Sequence, residues 1–283
     1  MAFVLASDIT AYSQTIFEQA WMVARDNMVA RALVENFTDA SGTASRSSST
    51  YGTATFNSIT ETDDLTSQAF TPSVLSTLTP GEAGAQFFVS DTRRETDPFA
   101  VQQDATTELG MAYAEKVDRD IFSNLSSLTG GTVGASGTVI TWGHFNAMLA
   151  RLTAQKAPAP YYFVCHPYQW AQLGKAASVA SSARTNADDS LLAEVAARWV
   201  AGMYFGVNVL ISTHVPLSST NAYCGMWSRT AIAFDERRPY TLELERDSSR
   251  RGWELNAHSL YGHGVWRPAY GIQGIFDNTA PTS

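Results

Sequence analysis

The stretch from Pro98 to Leu128 limits the possible folds more than any other part of the sequence. No further proline occurs in it, and the only glycine is Gly110. Asp97 is a good N-cap. Pro98 is a good first helical residue, because its fixed φ suits a helix and it has no N–H to leave unpaired. Val101, Ala105, Leu109, Ala112, Val117, Ile121, Leu125 and Leu128 recur at near-helical spacing and form one apolar stripe. Gly130–Gly131 then stops the run. At about 1.5 Å per residue the helix would span roughly 45 Å. A compact domain of this size does not need so long an element. It reads as a spine with other elements laid along it.

The polar side of this spine raises a chemical question. Residues 111–122, "MAYAEKVDRDIF", carry Glu115, Asp118 and Asp120 together with Lys116 and Arg119. On a helix Asp118 and Asp120 project about 200° apart, so they cannot share a proton or a metal. Glu115 meets Arg119 at i, i+4 in the favourable order, and Lys116 meets Asp120 in the reverse order. Glu115 and Asp118 share a face, but Arg119 is available to Glu115. Each charge has a local partner or water, so a solvated helix face is expected.

The flanks are of two kinds. Residues 11–36 carry a helical pattern, with Phe17, Trp21, Ala24 and Met28 on one face that needs a cover. Beyond Phe37 the chain is rich in Ser, Thr and Gly, and residues 53–60 alternate with a period of two. A long polar β-hairpin or extended arm is expected there, one that cannot bury enough surface to order itself alone. Between Ala40 and Thr92 its only basic residue is Arg46, set against Glu61, Asp63, Asp64, Glu82 and Asp91.

The rest alternates helix and strand. A short strand is expected around Gln86 to Val89 and a short hairpin in "TVGASGTVITW". Phe145, Met148, Leu149 and Leu152 mark an amphipathic helix, and "YYFVC" a buried strand. A helix opens at Pro167, and the polar loop "SVASSARTNADDS" precedes a further helix with Leu192, Val195, Ala196 and Trp199 on one face. Strands follow at "GVNVLIS", "AYCGMW", "AIAF" and "YTLELER", and the aromatic-rich C-terminus is strand-like. The order is α+β, with a central α/β block between long elements. No internal repeat is present.

Composition excludes several functions. The formal charge is −8, with only three lysines, so the chain lacks the electrostatic footprint of a nucleic-acid binder. The nearest thing to a basic patch is the set of pairs Arg93–Arg94, Arg237–Arg238 and Arg250–Arg251. No secretory signal is visible, and no clean apolar span of membrane length occurs. Cys165 and Cys224 sit in apolar runs and read as buried small hydrophobes. His144, His166, His214, His258 and His263 have no helical i, i+4 spacing, and no Cys-x-x-Cys occurs. Cys165 and His166 point to opposite faces on a strand, as do His258 and His263. "GHGVWR", "GKAAS" and "GASGT" each lack part of the phosphate-loop, dinucleotide or nucleophile-elbow patterns. No cofactor, metal or catalytic residue is expected, though a distant histidine could still complete a site around Cys165.

The order of elements resembles the major capsid protein of tailed bacteriophages, the Hong Kong 97-type fold. "ELGMAYAEKVDRDIFSNL" is similar to that family's spine helix. "YYFVCHPYQWAQLGK" is similar to the opening of its axial domain. "ELNAHSLYGHGVWRPAYGIQGI" is similar to its closing strands. The resemblance implies an N-terminal arm at 1–36, an extended loop and adjoining strands at 37–92, and a peripheral domain with the spine at 93–140. It further implies an axial domain at 141–247 and closing strands at 248–283, with "SVASSARTNADDS" at the axial tip.

The implied function is self-assembly, through pentamers and hexamers, into an icosahedral shell around double-stranded DNA that it binds without sequence specificity. A virion location with assembly in the host cytoplasm follows, together with a portal, a separate scaffolding protein and room for a decoration protein. Phe17, Trp21, Arg46, Glu61, Asp63, Asp64, Glu115, Asp118 and Arg119 become the expected subunit contacts. Some family members crosslink their shells through a lysine on the extended loop. Residues 37–92 contain none, so no such bond is expected. No long prodomain is visible before the arm. The competing readings are an encapsulin-like compartment shell, an α/β enzyme, and a tail component, which would show more continuous β-pattern and no spine.

Overall fold

The computed structural model describes residues 29–38, 43–62, 64–96, 101–182 and 202–281, with the side chains of 101 and 176–182 outside that set. Phe17, Trp21, Asp63, the Asp97–Pro98 cap, the greater part of "SVASSARTNADDS" and the helix expected after it lie outside the described residues.

The strands are β1 (Glu35–Phe37), β2 (Arg46–Tyr51), β3 (Pro72–Leu78), β4 (Gly81–Ser90), β5 (Thr132–Gly134), β6 (Tyr161–Cys165) and β7 (Met203–Tyr204). They continue with β8 (Val207–Ile211), β9 (Leu217–Ser218), β10 (Asn221–Ser228), β11 (Ile232–Asp247), β12 (Gly252–Val265) and β13 (Gly271–Asp277). The helices are α1 (Asp91–Thr96), α2 (Val101–Ser123), α3 (Trp142–Ala154) and α4 (Pro167–Ser182). One sheet runs β1-β11-β12-β4, and a second runs β5-β13-β10-β6-β8-β7 with β9 on β10. Among the described residues β2 and β3 pair only with each other.

α2 is the predicted spine. Its 23 residues span about 35 Å, and a 3-10 turn over Asn124–Ser127 carries the run on to Leu128. Its stripe docks in two places. Leu109 packs with Val89, Leu255 and Ala257 on the four-stranded sheet. Val117, Ile121, Phe122, Leu125 and Leu128 enter a core with Trp227, Phe234 and Tyr261.

The second sheet forms its own core around Phe145, Met148, Leu152, Phe163 and Phe276. Thr141 caps α3 reciprocally: its hydroxyl accepts from the His144 N–H, and His144 Nδ1 accepts from the Thr141 N–H. Histidine here fills the place usually taken by Glu or Gln. α4 leaves β6 at Pro167, and β8 lies parallel to β6, so a connection longer than a hairpin separates them.

Four local expectations change. "TVGASGTVITW" is not a hairpin, because only Thr132–Gly134 is a strand and it lies parallel to β13. "AIAF" and "YTLELER" form one strand, β11, with register shifts between Glu236 and Arg238 and between Arg238 and Thr241. Pro239 has no N–H for the ladder, so pairing skips there. The strand near Gln86–Val89 runs the full length of β4. In the extended loop the paired segments are β2 and β3, not the alternating residues 53–60 that lie between them. Alternation alone gave those residues no facing strand; the Gln68 side chain instead brackets Thr55, accepting from its N–H at 2.8 Å and donating to its carbonyl at 2.6 Å.

Where the spine ends, the chain squeezes past the closing strands. A Cβ on Gly130 would lie 2.5 Å from the Ala269 carbonyl oxygen and 2.6 Å from that of Gly271. Both are backbone atoms that cannot swing away. Gly130→Ala is therefore expected to destabilise by about 2–3 kcal/mol through overpacking and the lost Gly130 N–H to Gly271 bond. Urea unfolding against the wild type measures it, and a change below about 0.5 kcal/mol would contradict the close approach.

Candidate assembly surfaces

The junction between the N-terminal segment and the body is built on Asp118. Asp118 is 1% exposed. Its carboxylate accepts from the N–H of Val29 at 3.1 Å and of Ala30 at 3.0 Å, at the start of the 3-10 turn Ala30–Leu33. His214 Nδ1 lies 3.9 Å away. The solvated-face expectation is thus corrected at Asp118, which is turned inward. It holds for Glu115, paired to Arg119 at 2.5 Å, and Lys116 pairs with Asp120. Hydrophobic spacing alone cannot place Asp118, because a carboxylate beside Val117 and Ile121 looks the same whether water or two backbone amides await it.

Further contacts fix the same segment. Ala30, Leu33 and Val34 are buried. The Trp227 indole donates to the Leu33 carbonyl at 3.3 Å, and Arg229 Nε to that of Val34 at 3.3 Å. Arg31 pairs with Glu236 and lies over the Phe234 ring, 5.3 Å from its centroid. β1 then joins β11 in parallel, Glu35 opposite Ala233. Sequence reasoning missed Arg31, Glu236 and His214, which are separated from their partners by long stretches of chain.

The extended loop is the opposite case. Its base is tied inward: Arg46 sits 3.5 Å from the buried Asp235 and 4.5 Å above the Phe37 ring. Beyond the base the apolar side chains are bare. Phe56, Leu65, Phe70 and Val74 are 101%, 77%, 71% and 67% exposed, and Tyr51 stacks on Phe70 at 4.8 Å. A two-stranded hairpin is marginal alone in water, and so much clustered apolar surface marks a contact with another molecule. Glu61 and Asp64 are exposed in the same loop.

Catalytic chemistry finds no support around the cysteines. Cys165 and Cys224 are fully buried, and burial pushes both thiols far above their ordinary value, which removes the thiolate a nucleophile needs. A cavity of about 640 Å³ lies between α2 and the four-stranded sheet, lined by Tyr113, Lys116, Asp120, Tyr240, Tyr261 and His263 among others. Asp120 is already engaged there by Lys116 and by the Tyr261 hydroxyl at 2.7 Å. His258 and His263 both line this cavity; His263 also meets Asn124 at 3.1 Å, and His258 lies 3.8 Å from Glu243. Among the described residues no cluster could hold a metal, and no helix is long and apolar enough to cross a membrane.

Two histidines make stability depend on pH. Burial holds His263 below its ordinary value, with Asp120 opposing and Lys116 adding to the shift. Burial likewise lowers His166, opposed by Asn278. Each takes up a proton more readily once unfolded. Their contribution is therefore complete above about pH 6.5 and drains away as pH falls through the lowered folded values. His263→Gln is expected to flatten the fall in melting temperature between about pH 6.5 and 5. Melting curves at stepped pH test this, and an unchanged slope would exclude His263 as a contributor.

Comparison with known proteins adds independent findings. A family model described as phage capsid protein matches residues 73–273. No curated protein sequence matches. Among solved structures, the capsid of Cyanophage P-SCSP1u superposes with a TM-score of 0.69 at 16% identity, over 91% of this chain and 90% of that one. The capsid of a native GTA particle gives 0.68 at 17% identity, over 90% and 92%. Gordonia phage Cozz gives 0.66 at 14% identity, over 90% and 88%.

Proposed function

The chain belongs to the phage capsid protein family, with the Hong Kong 97-type fold, and from that premise we propose how its parts serve the shell. It is a major capsid protein of the virion, a structural subunit that assembles with copies of itself. In our reading residues 1–36 are an arm reaching a neighbour, and the loop within 37–92 lies over an adjacent subunit. Residues 93–140 and 248–283 form the peripheral domain, and 141–247 the axial domain, whose tips meet at the centres of pentamers and hexamers. The shell closes around double-stranded DNA without reading its sequence, assembles in the host cytoplasm, and works with a portal and a separate scaffolding protein; a decoration protein could be added outside.

The observation that carries this reading is the bare apolar loop. Its exposed aromatic and aliphatic side chains have no use in a lone subunit and would be covered in an assembly, where many weak contacts repeat. The net charge of −8 suits a container that must later release DNA. Electron microscopy with light scattering of the purified protein tests it. Closed shells or five- and six-fold rings are expected. A strictly monomeric or dimeric species under every assembly condition would count against it. Deletion of residues 1–28, which leaves the buried Ala30–Val34 joint and β1 in place, is expected to reduce shell yield at least about tenfold, as loss of an ordering contact does. Normal yield would remove the arm from the mechanism.

A further inference from the structure

Two of the arginine pairs, far apart in sequence, meet at one corner of the four-stranded sheet. Arg93 and Arg94 lie on α1, and Arg250 and Arg251 on the turn joining β11 to β12. The Asp91 N–H donates to the Arg251 carbonyl at 3.0 Å, and Gly252 pairs with Ser90. Most acids of this corner are engaged: Asp91 holds Arg246 through both oxygens at 2.5 and 2.7 Å, and Asp247 and Glu254 hold Arg250. Glu95 is exposed on α1. Arg94 and Arg251 are exposed; neither forms a salt bridge within 4 Å among the described residues, although Arg94 lies near enough to Asp91 to help hold its carboxyl below its ordinary value.

The extended loop leaves from the opposite end of the same sheet. Gly81 pairs with Tyr261, Leu78 presses on Gly264, and the Ser76 hydroxyl donates to the Trp266 carbonyl at 3.0 Å. β3 therefore continues the line of β4 past the end of β12, away from the corner. At the loop tip Glu61 and Asp64 are exposed and make no ion pair among the described residues, and no lysine or arginine occurs in residues 47–92. β12 alone spans about 45 Å. The stretch from Tyr51 to Glu61, even folded straight back, covers about 35 Å. A chain cannot bring its own tip to its own corner.

We infer that the acidic loop tip, Glu61 and Asp64, docks on the Arg94–Arg251 corner of a second copy of this chain. The inference rests on the shell reading and gives the loop its point of attachment. Two complementary patches at opposite ends of one sheet join head to tail, the heterologous contact that closes into rings. Arginine suits the task because its planar fork grips a carboxylate bidentately. One exposed pair is weak, but each repeats around a shell. Reversing a charge is more telling than removing it, since like charges across an interface repel whereas a neutral substitution only forfeits the attraction.

The test uses the full chain under conditions where the wild type forms shells; failure of the wild type there bears on the shell reading alone. E61K/D64K and R94E/R251E are each expected to cut shell yield at least about tenfold, and the four substitutions together to return it to within about threefold of wild type. Wild-type yield from either reversed pair overturns the proposal. So does a folded four-fold variant that assembles no better than its worse parent. If the four-fold variant does not fold, the neutral pairs E61Q/D64N and R94Q/R251Q decide. Each is expected to lessen the loss of assembly caused by added NaCl, and an undiminished salt effect in both overturns it.

Discussion

Trp227→Ala is expected to lower the unfolding free energy by about 4 kcal/mol, the range for deleting a buried aromatic. Trp227 is fully buried on β10, with Phe122 of the spine 6.5 Å away edge-on and Tyr162 of β6 at 6.3 Å. One side chain thus bridges the spine and the central strands of the second sheet. Its indole N–H also satisfies the Leu33 carbonyl, so truncation opens a cavity and strands a buried acceptor. Trp227→Phe separates these losses. It keeps much of the packing, and is expected to cost about 1–2 kcal/mol, mainly for the unpaired carbonyl. Against a total of about 5–15 kcal/mol for a domain, the alanine variant is expected to reach shells poorly at 37 °C. Urea unfolding of the three proteins measures the order. Equal stability of the Ala and Phe variants would show that packing at Trp227 contributes nothing beyond its hydrogen bond to Leu33.

Why was so much of this fold legible? Elements whose pattern is local were readable. Leu109, Val117, Ile121, Leu125 and Leu128 of the spine stripe, the Phe145–Met148–Leu152 face and Phe163–Cys165 of the apolar run each bury what their spacing says they should. These patterns depend on one element meeting one core. The extended loop was legible as polar and unable to fold alone, but its pairing register was not. Residues 53–60 alternate as well as any strand, and only the position of Leu78 and Ser76 against Gly264 and Trp266 decides which segments pair. The merging of two expected strands into β11 has the same origin, because Pro239 signals a break in pairing without saying whether the strand resumes.

The contact surfaces were less legible because they depend on which distant residues meet. Arg46 is conspicuous in sequence as the only base in its region, yet nothing local foretells that Asp235 and Phe37 receive it. Arg93–Arg94 and Arg250–Arg251 look like isolated pairs until β4 and β12 align Ser90 with Gly252. Asp118 is the sharpest case. Helical geometry correctly separates it from Asp120 and pairs Glu115 with Arg119, but helix periodicity describes only the helix. It is silent on what packs against the helix from a segment almost ninety residues upstream.

Asp118→Ala is accordingly the second large effect expected. The substitution leaves the N–H groups of Val29 and Ala30 unpaired beside a buried face, with His214 close by. Losing hydrogen bonds to a buried charge costs about 1.5–3 kcal/mol each, and partial access of water at Val29 trims the sum to about 3 kcal/mol. The loss is local, at the joint where the chain enters the body, so its signature differs from that of Trp227→Ala. Amide hydrogen exchange at Val29–Leu33 is expected to quicken about a hundredfold while the spine keeps its protection, because opening there no longer opposes the Asp118 anchor. Asp118→Asn retains the shape and one acceptor oxygen, and is expected to fall between. If the arm reaches a neighbour, the alanine variant also loses shell yield, since a loosened joint sacrifices the preorganisation that docking requires. Unchanged exchange at Val29–Leu33 in the alanine variant would show that the buried Leu33 and Val34 side chains hold the joint without the carboxylate.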